Sequence, residues 1–279
     1  MTLSYETIVT LPPRSVLSDG TSVRPIPSWS PISSTLIAGE RDAILIDGPH
    51  TVERAGEVAD WVAASGKNLV AMYATHGHGD HYFGFTVVGQ RFPGARPIGT
   101  AGTVALARSQ ACGAALERWQ SRFPGQIPEG IRPLQVADGH VFRLEGHEIR
   151  FVEAGRTDTQ DTTFVHVPEI SLVVAGDIVY NGVHLYLAET DRQRRREWIG
   201  AVDAITALSP ADVIAGHKDP SAGNGPQALD ETRRYLLDAD EFLAVARTAE
   251  EFVDLMMQRH LGRINPNILW DSARRLIPA

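Results

Sequence analysis

The segment Thr75-His76-Gly77-His78-Gly79-Asp80-His81-Tyr82-Phe83-Gly84 follows directly on the apolar run Asn68 to Ala74 and constrains this chain more than any other. An apolar run of that length, bounded by turn residues, reads as a buried strand. Three histidines and a carboxylate therefore leave one strand end together. Neutral imidazole and carboxylate are ligands that Zn, Fe and Mn accept, and catalytic sites gather several of them while keeping a position open. One short loop thus supplies most of a metal site. The bland alternative, a surface loop that happens to be rich in histidine, does not account for four ligand-type residues at this spacing.

With 279 residues and 43% hydrophobic content, the chain has ample material for one large α/β domain with an elaborated C-terminal end. No apolar run is long enough to span a bilayer, and Met1 to Ile37 lacks the basic start and apolar stretch of a signal peptide, so a cytoplasmic protein without a membrane partner is expected. Cys112 is the only cysteine, which excludes an intrachain disulfide, a thiolate-rich metal site and a Cys-x-x-Cys redox pair. A formal net charge of −8 argues against nucleic acid as a partner. Arg192, Arg194, Arg195 and Arg196 are a local exception and read as a solvated helix face beside Asp191 and Glu197.

Ser34 to Ala38 and Ala43 to Ile46 read as strands joined by a turn at Gly39 to Asp42. A helix then runs from a Thr51 N-cap, with Val52, Ala55, Val58, Ala59 and Val62 at helical spacing, to Gly66. Ala101 to Arg122 reads as helical, followed by a Pro- and Gly-rich loop. Val141 to Leu144 and Glu148 to Glu153 form one expected hairpin, and Thr162 to Val167 and Ser171 to Ala175 another. A helix from about Asp191 to Leu208 precedes a last strand, Asp212 to Ala215, which ends in Gly216-His217. From Pro226 to the end the chain reads as a helical extension packed on the rest, within a single domain of residues 1–279. Periodicity alone gives an α/β protein with mixed sheets.

The pattern His-x-His-x-Asp-His-x-x-Gly resembles the signature of the metallo-β-lactamase-fold hydrolases. Further checkpoints agree: Ile44-Leu45-Ile46-Asp47-Gly48, Val173-Val174-Ala175-Gly176-Asp177 and Ile214-Ala215-Gly216-His217. The resemblance implies a four-layer αβ/βα sandwich of two mixed sheets with outer helices. By similarity His76 and His78 belong to a first metal position, Asp80 and His81 to a second. Asp177 bridges them, His217 completes the second, and Asp47 supports the loop from behind.

One checkpoint departs from the family. Where its members carry a third first-site histidine, this chain has Glu153-Ala154-Gly155-Arg156-Thr157-Asp158-Thr159, with Arg156 at the expected place. Arginine has no lone pair for a metal. Asp158 and Asp161 are the nearest oxygen donors that could substitute, whereas His140, His147 and His166 read as structural or surface residues. The expectation is one tightly held Zn2+, or Mn or Fe, in the second position. Metal-activated water would then attack an ester, lactone, thioester or amide of a small molecule. His76, His78 or Asp80 would act as base or water orienter, and Arg156 would hold an anion or oxyanion, or else pair with Asp80 or Asp158. Tyr82, Phe83, His184, Tyr186 and Trp198 are candidates for the walls. The alternatives are a non-hydrolytic lyase or isomerase, an iron-dependent oxygenase, or a metal-poor binding protein in which Arg156 takes an anionic ligand. A homodimer is compatible with the C-terminal helices.

Overall fold

A computed structural model describes residues 2–12, 16–18, 23–25 and 29–278, so part of the Met1 to Ile37 segment considered above lies outside the described residues. The first half of the chain forms β1 (Ser4–Thr10), β2 (Val16–Ser18), β3 (Val23–Pro25), β4 (Ile32–Ala38), β5 (Asp42–Ile46), α1 (Val52–Ala64) and β6 (Asn68–Tyr73). It continues with α2 (Phe85–Arg91), β7 (Arg96–Gly99), α3 (Ala101–Gln110), α4 (Gly113–Arg122) and β8 (Gln135–Val136). The second half forms β9 (Val141–Leu144), β10 (His147–Gly155), β11 (Thr162–Val167), β12 (Leu172–Asn181), α5 (Arg192–Ala207) and β13 (Asp212–Lys218). Three helices close it: α6 (Gln227–Leu243), α7 (Ala249–Arg259) and α8 (Pro266–Leu276).

The strands pair in the order β8-β7-β6-β5-β4-β13-β12-β11-β10-β9, with β1 antiparallel to β4. β4 and β13 meet at a single register pair, Ile32 with His217. The path is therefore two sheets joined at one corner. Alternation along each strand decides what each face meets. Ile44 and Ile46 of β5 point inward with Tyr73, to meet Phe151, Val165, Val174 and Ile214 from the opposite sheet. Tyr73 and Phe151 stack across that interface with ring centroids 3.7 Å apart. Leu45 and Met72 point the other way, onto Val58 and Val62 of α1 and Val104 of α3. On the far side Val173 and Ala215 meet Trp198 and Val202 of α5, Leu236 of α6, Phe252 of α7 and Leu269 of α8. The result is helix, sheet, sheet, helix. Each fully buried Val, Leu, Ile or Phe in these interfaces contributes about 1.5–3 kcal/mol relative to exposure.

Several elements differ from the sequence reading. The stretch Ala101 to Arg122 is broken into α3 and α4, because Gly113 adopts φ +54 and turns the chain. β12 runs on through Asp177 to Asn181 instead of stopping at Ala175, with register shifts around Gly176. Gly176 has φ +53, and a Cβ there would lie 2.4 Å from Thr75 Oγ1. Glycine lets β12 touch the strand end that carries the histidine loop. Thr51 occupies the N-cap of α1 but makes no side-chain capping bond.

Candidate metal centre

The histidine loop leaves β6 and tightens into a 3₁₀ turn over Gly79–His81 before α2. Asp47, at the end of β5 with φ 57, holds this loop from below. Its carboxylate accepts hydrogen bonds from Thr75 N at 2.8 Å and Thr75 Oγ1 at 2.8 Å, and lies 3.0 Å from His81 Nδ1. The outer nitrogens of the other histidines are also committed. His76 Nδ1 lies 3.1 Å from Thr75 Oγ1, His217 Nδ1 is 2.9 Å from the Pro31 carbonyl, and His78 Nε2 is 3.4 Å from Glu189 Oε1. With the outer nitrogen donating, the lone pair of each neutral ring sits on the inner nitrogen.

Those inner atoms converge. Donor atoms of His76, His78, Asp158 and Asp177 lie within 4.8 Å of one another, and so do those of Asp80, His81 and His217. Asp177 stands between the groups, its Oδ1 3.2 Å from His81 Nε2 and its Oδ2 3.2 Å from His217 Nε2 and 4.0 Å from His76 Nε2. Two donors bound to one ion at about 2.1 Å can be no more than about 4.2 Å apart, so these separations suit shared metals. His76 Nε2, His81 Nε2, Asp158 Oδ2 and Asp177 Oδ1 are buried and make no hydrogen bond. Buried polar atoms without partners are costly, and four of them facing one another fit a cation-binding site.

The protein's own charges reflect the same arrangement. Burial works against charge on His81 and His217, yet Asp177 and the neighbouring Asp47 or Asp80 outweigh it and raise both rings above the ordinary imidazole value. His78 is raised likewise, burial being overcome by Asp158 and Glu189. His76 goes the other way, lowered by burial and then by His81. Asp80 and Asp177 are depressed despite burial because His81 and His217 face them. Burial raises Asp158.

Arg156 is not at this centre, which corrects the expectation placed on it. It is exposed and lines a separate groove with Arg150, Glu153, Phe164, Glu197 and Leu208, and it pairs with neither Asp80 nor Asp158. The cause is local: β10 shifts register between Glu153 and Gly155, and Gly155 has φ +77. The chain is re-aimed there. The inward position falls on Asp158, whose Oδ2 lies 3.1 Å from His78 Nδ1 and 3.8 Å from His76 Nε2 while its Oδ1 accepts from Thr157 Oγ1 at 2.8 Å. Asp161 stays outside, its backbone carbonyl accepting from Thr103 Oγ1. The single-metal expectation rested on a gap in the first position, and the structure brings an Asp158 carboxylate oxygen to that place.

A cleft of about 210 Å³ opens onto the centre, with Asp80, Asp177 and His217 at its floor. Of the predicted wall residues only Tyr186 lines it. Tyr82 is turned into the core, its hydroxyl bonded to the Ala107 carbonyl at 2.5 Å, and Phe83 and Trp198 are core residues. His184 is buried beneath the C-terminal helices, 3.0 Å from the Tyr235 hydroxyl, and burial lowers its pKa to about 3. Residues missed from sequence take the vacant places. Trp29 donates to Asp80 Oδ2 at 3.0 Å, Tyr180 donates to Asp177 Oδ2 at 2.7 Å, and Trp119 and Glu189 line the mouth. Tyr180 had a signal of sorts, lying three residues beyond Asp177; Trp29 and Glu189 had none.

A double sandwich with donors at the strand ends defines a class, and direct comparison agrees with it. The model of the metallo-beta-lactamase superfamily matches residues 27–217. The chain belongs to that superfamily. A comparison with curated proteins yields no sequence match. Similar solved structures include the metallo-β-lactamase FIM-1 of Pseudomonas aeruginosa in its mono-zinc form, with 17% identity and TM-score 0.57 over 85% of this chain and 92% of that one. A metallo-β-lactamase from Pontibacter korlensis gives 17% and 0.58 over 84% and 100%. One from Hirschia baltica gives 19% and 0.56 over 84% and 93%. At these identities the likeness speaks for the fold alone.

Proposed function

We propose that this protein is a metal-dependent hydrolase of small molecules, cleaving an ester, lactone, thioester or amide bond with two metal ions held side by side. The observation that carries this reading is the set of four histidines whose outer nitrogens are tied to protein oxygens and whose inner atoms, with three aspartates, meet at the floor of an open cleft. His76, His78 and Asp158 would hold the first ion, Asp80, His81 and His217 the second, and Asp177 both. Zn2+ is our first assignment, while a first position of two imidazoles and two carboxylates also suits Mn or Fe. Such ions supply Lewis acidity and activate water at neutral pH.

The chain's own groups do the rest. Asp80, fixed by the Trp29 indole, orients water at the floor. Burial and then Asp177 hold the Tyr180 hydroxyl in its protonated form well above neutrality, so its one proton stays on Asp177 Oδ2, whose orientation it fixes, and it does not act as a base. The binding-protein alternative was built on Arg156 in the site and loses its basis with that residue on another face. A cytoplasmic location also belongs to this reading; no helix among the described residues is long and apolar enough to cross a membrane. The test is protein purified without chelator, assayed on a panel of esters, lactones, thioesters and β-lactams, with chelation and re-addition of Zn or Mn. Chelator-sensitive turnover is expected. No turnover of any member by fully loaded protein would overturn the assignment.

A further inference from the structure

Three arginines surround the mouth of the cleft, Arg118 and Arg122 from α4 and Arg275 from α8. Arg122 is spoken for: it pairs with Asp271 of α8 at 2.5 Å, and its guanidinium lies 4.4 Å from the Trp29 ring centroid. That pair ties the two helices together. Arg118 lies four positions before Arg122 on α4, and Arg275 lies four positions after Asp271 on α8. Residues four apart share a helix face. The Arg122 to Asp271 tie therefore brings the faces bearing Arg118 and Arg275 to the same opening, which both side chains line.

Both are exposed, and among the described residues neither forms a salt bridge or a side-chain hydrogen bond. Glu189, which lines the same mouth and feels the charge of Arg275 without a salt bridge to it, is engaged with His78 Nε2 and accepts from Thr159 Oγ1 at 2.9 Å. Two guanidinium groups without a salt bridge thus line one cleft in a chain whose net charge is −8. Like charges held together on an otherwise acidic protein repel each other unless an anion joins them, and planar guanidinium groups are suited to carboxylate and phosphate. Trp29, Trp119, Tyr186 and Ile268 line the same cleft and give it an apolar side. Burial lowers the pKa of His50, packed at 4.3 Å from Phe123 behind that wall, to about 3, so it adds an uncharged ring to the apolar side.

We infer that the substrate is an anionic acyl compound, bound with its scissile carbonyl at the metal floor, its apolar body on Trp29 and Trp119, and its carboxylate between Arg118 and Arg275. This rests on the hydrolase reading for the word substrate, but the anion site stands on the arginines alone. The experiment compares mono-4-nitrophenyl glutarate with its methyl ester, two esters that differ in one negative charge. For the metal-loaded protein, kcat/KM is expected to be at least tenfold higher for the carboxylate, since charge-assisted hydrogen bonds are worth roughly ten- to a hundredfold each. In Arg118→Ala/Arg275→Ala the ratio of the two values should fall toward one, whereas Arg156→Ala keeps it. A ratio near one in the wild type, or a ratio unchanged in the double variant, overturns the proposal. A neutral-centred 4-nitrophenyl ester whose distal carboxylate is replaced by a phosphonate tells a general anion site from a carboxylate site. Preference for it alone would refute the carboxylate assignment. If neither glutarate ester is turned over, the hydrolase reading still rests on the wider panel, and calorimetric binding of monomethyl glutarate decides the anion site. Affinity at least tenfold weaker in the double variant supports the anion site; equal affinity removes it.

Discussion

Replacing Asp158 by Asn tests the feature that separates this centre from the pattern read in the sequence. The change keeps the volume of a fully buried side chain and the contact with Thr157, but it removes the charge 3.1 Å from His78 Nδ1 and 3.8 Å from His76 Nε2. Removing one partner from a buried charged cluster costs about 3–5 kcal/mol. At about 1.4 kcal/mol per tenfold, that lowers metal affinity in the first position by roughly 10²- to 10⁴-fold. The second position, which shares only Asp177 with it, should change far less. Equilibrium dialysis against graded chelator, followed by elemental analysis, reads both: the wild type keeps two equivalents, while Asp158→Asn gives up one of them at least a hundredfold earlier. Arg156→Ala and Arg156→His should both match the wild type. If Asp158→Asn retained both ions as tightly, or an Arg156 variant altered the count, the assignment of the first position would be wrong.

Glu189→Gln weakens the hold on His78 Nε2 and should reduce first-position affinity about 10- to 100-fold, as loss of a partner behind a ligand does; an unchanged chelator titration would show that Glu189 does not orient the ring. Gly84→Ala places a Cβ 2.1 Å from the Pro49 carbonyl oxygen, so overpacking should cost about 1–3 kcal/mol. A melting temperature equal to wild type would contradict that packing. In chelated protein, His78, His81 and His217 have pKa values raised above 6.5, so their stabilisation is complete below that value and is lost as pH rises through the folded values. Asp80 and Asp177 are lowered below 3.8, so theirs is present above it and is lost in acid. Metal-free protein should therefore lose melting temperature on the alkaline side of neutrality, and metal-loaded protein should not. Parallel melting curves would contradict this.

The layers of this fold were legible because alternation and helical spacing mark faces. Ile44, Leu45 and Ile46 state which side each occupies, and Val58 and Val62 state the face of α1. The histidine loop and the Gly-Asp and Gly-His strand ends were legible because they occupy strand termini. Asp158 was legible only as one of two possible oxygen donors, beside Asp161, since its inward turn depends on a bulge and a left-handed glycine, and neither leaves a periodic trace. Arg156 looked decisive because linear position was read as spatial position. Tyr82 and His184 lie close in sequence to ligands yet point into the core, as aromatic and neutral histidine side chains do when apolar neighbours surround them. The basic mouth was unreadable for the opposite reason: Arg118 and Arg275 are 157 positions apart and meet through the Arg122 to Asp271 pair.

The corner where β4 meets β13 at Ile32 and His217 also bears on how the molecule holds together. Backbone bonding between the two sheets is thin there, while the ligands are divided across it: His76, His78, Asp80 and His81 come from the first sheet's loop, and Asp158, Asp177 and His217 from the second. Ions at the centre would act as rivets through both plates, so occupancy would be recorded in unfolding cooperativity as well as in turnover. A loaded molecule should melt in a sharper calorimetric transition than a stripped one, in which the shared apolar core alone couples the two plates.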